Sequence, residues 1–228
     1  MIQFVFLDLD ATLLDFLKAE AVALRKVLAR EGIESSDRIV ARYSEINDYH
    51  WKLLEMGKLT RQEVKFKRFQ VFFDEMRVKT DVEAARKFYE EQLAIGHYFM
   101  PGAEELLEAL RGKYRLFIMS NGSIAAQNGR IASANIAHYF ERIFLSEEIG
   151  HNKPSKEFFD ACFSEIPDFD ADQAIILGDS LTSDILGGQN AGIKTCWFNR
   201  FGKARRTDIC PDYEISSLDQ FIPLIKEQ

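Results

Sequence analysis

Asp8 and Asp10 stand two residues apart, just after the short apolar run Phe4-Val5-Phe6-Leu7, in the segment Asp8-Leu9-Asp10-Ala11-Thr12. Carboxylates are rarely buried unless they are paired or bind a metal. Two of them where a buried strand ends therefore suit phosphate chemistry with a divalent cation. Comparable groups follow other apolar runs. Ser120-Asn121-Gly122 follows 116–119, Lys153-Pro154 follows 143–145, and Gly178-Asp179-Ser180 with Asp184 follows 174–177. In an open α/β sheet, ligands bind beyond the carboxyl ends of the strands, so these groups are expected to converge. They would offer several carboxylates, one amine, and a hydroxyl beside a glycine turn. Carboxylates and water suit Mg²⁺; the lysine and the hydroxyl suit phosphate oxygens.

The elements that must position these groups are legible as pattern. Five β-rich apolar runs, Phe4–Leu7, 116–119, 143–145, 174–177 and 195–198, are each read as a buried strand, and Tyr213-Glu214-Ile215 could add an edge strand. From the second run onward they alternate with helical stretches. Pro101-Gly102 opens one with Leu106, Leu107 and Leu110 on one face; 124–135, 157–166 and 185–191 supply others. Alternation of this kind predicts a parallel sheet with helices on both faces.

About a hundred residues separate the first two runs, far more than one crossover helix needs. That stretch has no clear strand. Phe16–Arg30 carries Ala19, Val22, Ala23 and Val27 at helical spacing, Thr60 and Glu63 fit a capping box ahead of Val64, Phe66 and Phe69, and Asp81 could cap a further helix through Ala94. The expected organisation is a Rossmann-like α/β core, residues 1–15 and 97–228, with a helical cap inserted over residues 16–96.

With 228 residues, 46% of them apolar, the chain can bury a sizeable core. A net charge of −7 argues against a nucleic-acid polymer or an anionic membrane as the main partner, but leaves room for a small phosphorylated metabolite. No run of about twenty apolar residues predicts a spanning helix, and no signal-peptide pattern opens the chain. Cys162, Cys196 and Cys210 lack metal-ligand spacing and are expected to be reduced, in a cytoplasmic protein.

The four motifs resemble those of the haloacid dehalogenase (HAD) superfamily, in its phosphatase branch with a helical cap inserted after the first motif. The likeness runs through essentially the whole chain, in order. Within it, residues 8–16, Ser120-Asn121-Gly122, Lys153-Pro154 and 178–185 are similar to the YjjG/YfnB-type subgroup of pyrimidine nucleotide 5′-phosphatases (5′-nucleotidases). The resemblance implies that Asp8 is the nucleophile and forms an aspartyl-phosphate. Asp10 would be the general acid and then the base. Ser120 and Lys153 would hold the phosphoryl group, with Asn121 and Gly122 beside it. Mg²⁺ would be bound by Asp8, Asp179 and the Asp10 backbone carbonyl, with Asp184 acting through water. Ala11 is a departure, since relatives usually have glycine or aspartate there; a small side chain is expected to keep the turn.

The alternatives are a sugar-phosphate phosphatase or phosphomutase, a 2-haloacid dehalogenase, or a catalytically silent binding protein on the same scaffold. Attack on carbon needs no second acid like Asp10 and no metal site like Asp179. Phe16 and Trp51 are candidates to stack on a nucleobase, against the plainer reading that aromatics at helical spacing are core. His50 is read as a satisfied, partly buried histidine, and Phe66, Phe69, Phe72 and Phe73 as packing within the cap. Asp184 could also cap a helix that begins near Ile185.

Overall fold

The computed structural model describes residues 1–226. Six strands, β1 (Phe4–Leu7), β2 (Arg115–Ser120), β3 (Arg142–Leu145), β4 (Ala174–Gly178), β5 (Lys194–Phe198) and β6 (Tyr213–Ile215), form one sheet. Its order is β3-β2-β1-β4-β5-β6, and every pairing is parallel. The α/β class expected from the sequence is therefore present, including the edge strand β6. β1 lies in the middle because all four of its residues are buried, as a strand covered on both faces requires. The strand order reverses between β1 and β4, and such a switch point leaves a crevice at the carboxyl ends of those two strands.

Four helices fill the gap between β1 and β2: α1 (Phe16–Arg30), α2 (Asp37–Glu55), α3 (Arg61–Met76) and α4 (Val82–Ala94). Each starts on a side-chain cap, from Asp15, Ser36, Thr60 and Asp81 in turn, and Thr60 with Glu63 forms a full capping box. The chain enters and leaves this layer side by side: Asp15 N–H donates to the Tyr98 carbonyl (2.6 Å) and Met100 N–H to that of Leu13 (2.9 Å). The remaining helices are α5 (Ala103–Leu110), α6 (Ile124–Ser133), α7 (Ser146–Ile149), α8 (Lys156–Ser164), α9 (Leu186–Asn190) and α10 (Phe221–Lys226).

Alternation along β1 splits the core. Val5 and Leu7 join Ile118 and Leu177 under α5 and α10. Phe4 and Phe6 join Phe117 and Ile176 under α8. A third cluster lies within the helical layer, where Tyr43, Phe69, Phe72, Phe73 and Tyr89 pack together and take in Ala126 from α6. Phe66 departs from expectation. It is exposed, because the first turns of α3 dock on the core loops through Arg61 and Lys65 rather than on the other helices. His50 is buried, its Nδ1 within 2.7 Å of the Ile46 carbonyl. All three cysteines are free, and Cys196 is core. Among the described residues no helix is long and apolar enough to cross a membrane.

One buried polar network lies within the layer. Asn47 donates from Nδ2 to Glu20 (2.7 Å) and accepts from Arg68 Nη1 (2.7 Å), and all three are buried. Burial pushes the Glu20 carboxyl up to about 7, above its ordinary value of 4.5, against the pull of its hydrogen bonds and of Arg68. A raised acid binds its proton more tightly when folded, so its contribution to stability is complete below pH 4.5 and is lost as pH rises through 7. Stability is expected to fall by about 3 kcal/mol from pH 4.5 to 7.5 on this account. Glu20→Gln should flatten that part of the curve. Urea unfolding midpoints measured across this range check it, and an unchanged slope in the variant would count against the assignment.

Candidate active site

The expected groups meet at the switch point. Asp8 follows β1 and is almost fully buried. Lys153 reaches it across the sheet end, with Nζ 2.7 Å from Asp8 Oδ1, 2.6 Å from Asp184 Oδ1 and 2.6 Å from the Met119 carbonyl. Those three bonds satisfy an ammonium that is only 1% exposed. Burial alone would depress the Lys153 amine, but Asp184 and Asp8 outweigh it, and the net shift is upward; it remains protonated. Asp8 is pushed well above its usual range, mainly by burial. Lys153 offsets this in part, and Asp184, Asp10 and Asp179 add to it.

Asp179 follows β4. Burial and the neighbouring Asp184 push it up to about 7. Carboxylate oxygens of Asp8, Asp179 and Asp184 all lie within 4.8 Å of one another. Four acidic side chains, counting Asp10, face two buried cations, Lys153 and Arg130. Hard oxygen donors with excess negative charge are the donor set that Mg²⁺ takes, so the residues present fit such an ion. Asp184 has both oxygens engaged, one by Lys153 and the other by the Ser180 N–H (3.1 Å). It does not cap the helix after it. It lies inside a π-helical turn, Leu181–Ile185, and Ser180 supplies the cap by accepting from Ser183 N–H. The close approach of Asp184 to β4 needs a glycine at 178, because a Cβ there would fall 2.2 Å from Asp184 Oδ2.

Ser120 ends β2 and is buried; its Oγ accepts from Gly122 N–H (3.1 Å) and Gln127 Nε2 (2.8 Å). The Asn121 carboxamide is turned to the Lys153 backbone, accepting from its N–H (2.8 Å) and donating to its carbonyl (3.0 Å). It thus fixes the loop that carries the lysine. Gly122 leaves room for Gln127, whose amide a Cβ would meet at 2.1 Å. Ala11 sits at φ +62°, directly after Asp10, and holds the turn by donating to the Leu14 carbonyl (2.8 Å). An L residue there costs roughly 1–2 kcal/mol, a strain glycine would not carry, so the alanine keeps the turn at an energetic cost.

Several residues at the site were not singled out from sequence. Arg130 of α6 is fully buried. It grips Asp10 through Nη1 and donates from Nε to the Gly96 carbonyl (3.0 Å). Gln127, one turn earlier, donates to Asp10 Oδ2 (2.5 Å). Three contacts tie the helical layer to the core around the site. Arg61 donates to the Asn121 carbonyl, Ser146 Oγ and Asn152 Oδ1 (2.6, 2.5 and 2.6 Å); Lys65 pairs with Glu147 (3.1 Å); Thr182 donates to Glu55 (3.0 Å). Between layer and core lies a cavity of about 660 Å³, lined by Asp8, Asp10, Ser120 and Asp179 of the core and by Phe16 and Trp51 of the helical layer.

A parallel sheet with a carboxylate-bearing loop at the switch point, acidic residues at two neighbouring strand ends and a helical layer above defines a hydrolase-type α/β architecture. The family model for haloacid dehalogenase-like hydrolases matches residues 5–198, and the chain belongs to that family. It is 38% identical over 218 residues to the HAD-hydrolase YfnB of Bacillus subtilis, covering 96% of this chain and 93% of that protein. A crystal structure of YfnB bound to magnesium, described as revealing interdomain movement, superposes with a TM-score of 0.94 at 37% identity over 98% of each chain. The pyrimidine 5′-nucleotidase PynA of Streptococcus pneumoniae is 35% identical over 96% of this chain and 93% of its own length. The pyrimidine 5′-nucleotidase YjjG of Escherichia coli is 28% identical, covering 98% and 97%. An L-2-haloacid dehalogenase from Xanthobacter autotrophicus shares the fold, with a TM-score of 0.80 at 16% identity over 99% of each chain.

Proposed function

We propose that this chain is a Mg²⁺-dependent phosphomonoesterase that hydrolyses nucleoside 5′-monophosphates, pyrimidine nucleotides foremost, through an aspartyl-phosphate on Asp8. The observation that carries this reading is the meeting of the Asp8, Asp179 and Asp184 carboxylates with Lys153 at the floor of one cavity. The nucleotide part rests on the names of PynA and YjjG and on the aromatic wall of Phe16 and Trp51. Stacking a base on such a face is worth about 1–3 kcal/mol.

Mg²⁺ held by Asp8, Asp179 and the Asp10 backbone carbonyl, with Asp184 through water, would offset the repulsion between a carboxylate nucleophile and a phosphate dianion. Asp8 attacks phosphorus while Lys153 and Ser120 hold the non-bridging oxygens and balance their charge. Asp10 protonates the departing nucleoside oxygen, then takes a proton from the water that cleaves the acyl phosphate. Such help is typically worth about 10²–10⁴-fold. Residues 16–96 act as a cap over the core of 1–15 and 97–228, excluding bulk water. The interdomain movement described for YfnB accords with that division. The free cysteines suit a cytoplasmic setting.

Hydrolysis of para-nitrophenyl phosphate and of a panel of nucleotides and sugar phosphates tests the reading. Turnover should appear with Mg²⁺, vanish with a chelator, and favour pyrimidine nucleotides over ribose 5-phosphate. Asp179→Ala should raise the half-saturating Mg²⁺ concentration by about 10–100-fold. Chelator-resistant turnover, or an unmoved metal titration in that variant, would sink the metal assignment.

A further inference from the structure

Polar side chains from the cap also line the cavity. Asn47, Arg68 and Glu90 all line it. Arg68 is 3% exposed and has no carboxylate in ion-pair contact among the described residues; its guanidinium lies over the Phe69 and Tyr89 rings, its Nη1 goes to Asn47, and its buried Nε has no hydrogen-bond partner. Glu90 gives one oxygen to Arg86 (2.9 Å), and its other oxygen, Oε1, is buried and unpartnered. Asn47 is fixed on both sides, with its Oδ1 taken by Arg68 and one Nδ2 hydrogen by Glu20. A buried guanidinium without a paired carboxylate and a buried carboxylate oxygen without a donor each cost on the order of 1–3 kcal/mol or more. Both side chains line the same cavity, with the two unpartnered atoms shielded just behind its surface, so a polar ligand edge seated there would compensate the pair.

We propose that Arg68 and Glu90, with Asn47 behind them, form the subsite that reads the leaving group, and that they recognise an edge carrying a hydrogen-bond acceptor next to a donor. This rests on the nucleotide phosphatase reading above. The arginine supplies a donor and the glutamate an acceptor. Uracil answers with a carbonyl beside its N3–H, and cytosine with N3 beside its 4-amino group. Both pyrimidines thus meet the same pair of side chains. Phe16, Trp51 and Leu93 supply the apolar surface along the rest of the cavity. A buried polar pair of this kind discriminates strongly, because an analogue lacking the edge leaves both groups unpaired.

Four phosphate esters separate the possibilities: para-nitrophenyl phosphate, ribose 5-phosphate, uridine 5′-monophosphate and its N3-methyl analogue, all with saturating Mg²⁺. The native enzyme should show kcat/KM at least about 10-fold lower for the N3-methyl nucleotide than for the parent. Arg68→Met and Glu90→Met should each compress that ratio to within about threefold. A merely structural role would lower both nucleotides alike and leave the ratio standing. Equal kcat/KM for the two nucleotides in the native enzyme overturns the subsite, and so does a full ratio in folded variants. Should the native enzyme cleave para-nitrophenyl phosphate but neither nucleotide, the nucleotide reading falls, and this inference with it.

Discussion

Asp8→Asn is expected to lower kcat on the order of 10⁴-fold or more, with no loss of stability. The carboxamide cannot form the acyl phosphate, and no second nucleophile occupies the same loop position. The stability half of the prediction follows from the electrostatics. Asp8 is held above its usual range by burial and by three neighbouring carboxylates, so replacing it with a neutral isostere removes repulsion. Lys153 keeps Asp184 and the Met119 carbonyl as partners. A thermal melt without Mg²⁺ should show a midpoint equal to or above the parent's. Single-turnover assays with para-nitrophenyl phosphate measure the kinetic half. Near-parental turnover would refute Asp8 as nucleophile, and a midpoint lowered by several degrees would refute the repulsion argument.

The second large effect belongs to Lys153. Lys153→Met should reduce kcat/KM by about 10³-fold and also destabilise the fold, in contrast to the substitution at Asp8. Its ammonium is the shared partner of two buried carboxylates. Removing one member of a buried charge cluster strands the others, at a cost of about 3–5 kcal/mol. For a chain of this length that is a fall of about 10 °C in Tm. Adding Mg²⁺ should restore part of the stability but little of the activity, since a metal can neutralise the carboxylates without donating to the phosphoryl oxygens. Paired melts with and without Mg²⁺ check this. A variant as stable as its parent in chelator would show that Asp8 and Asp184 do not depend on the amine.

What was readable beforehand reflects how each residue is placed. A strand covered on both faces must be a continuous apolar run, so β1, β2, β4 and β5 stood out, and the polar residue that ends each run marked the site. Asp8, Ser120 and Asp179 were found that way, and Lys153 by its place between the second and fourth motifs. Arg130 and Gln127 were not, because they lie inside α6, which reads as an ordinary crossover helix. The available signal was their i, i+3 spacing on the helix face that also carries Ala126. Arg61 was hidden inside the capping box of Thr60 and Glu63. Phe66 was misjudged because helical spacing gives a face but not where along the helix its packing partner stops. Asp184 was offered as a helix cap because a π-helical turn ahead of α9 has no sequence signature of its own. The Arg68 and Glu90 pair was equally silent: charged residues on amphipathic helices are solvated by default, and only the tertiary packing of α3 and α4 sinks these two.

Arg130 grips the Asp10 carboxylate with one nitrogen and the Gly96 carbonyl with another. Gly96 lies on the short return segment after α4, so this guanidinium works as a tie rod between Asp10 and the stretch of chain that leads back from the helical layer. On the mechanism proposed above, any movement of the helical layer against the core would tug the anchor of Asp10, and the timing of proton delivery would then be mechanically linked to that movement through a single side chain.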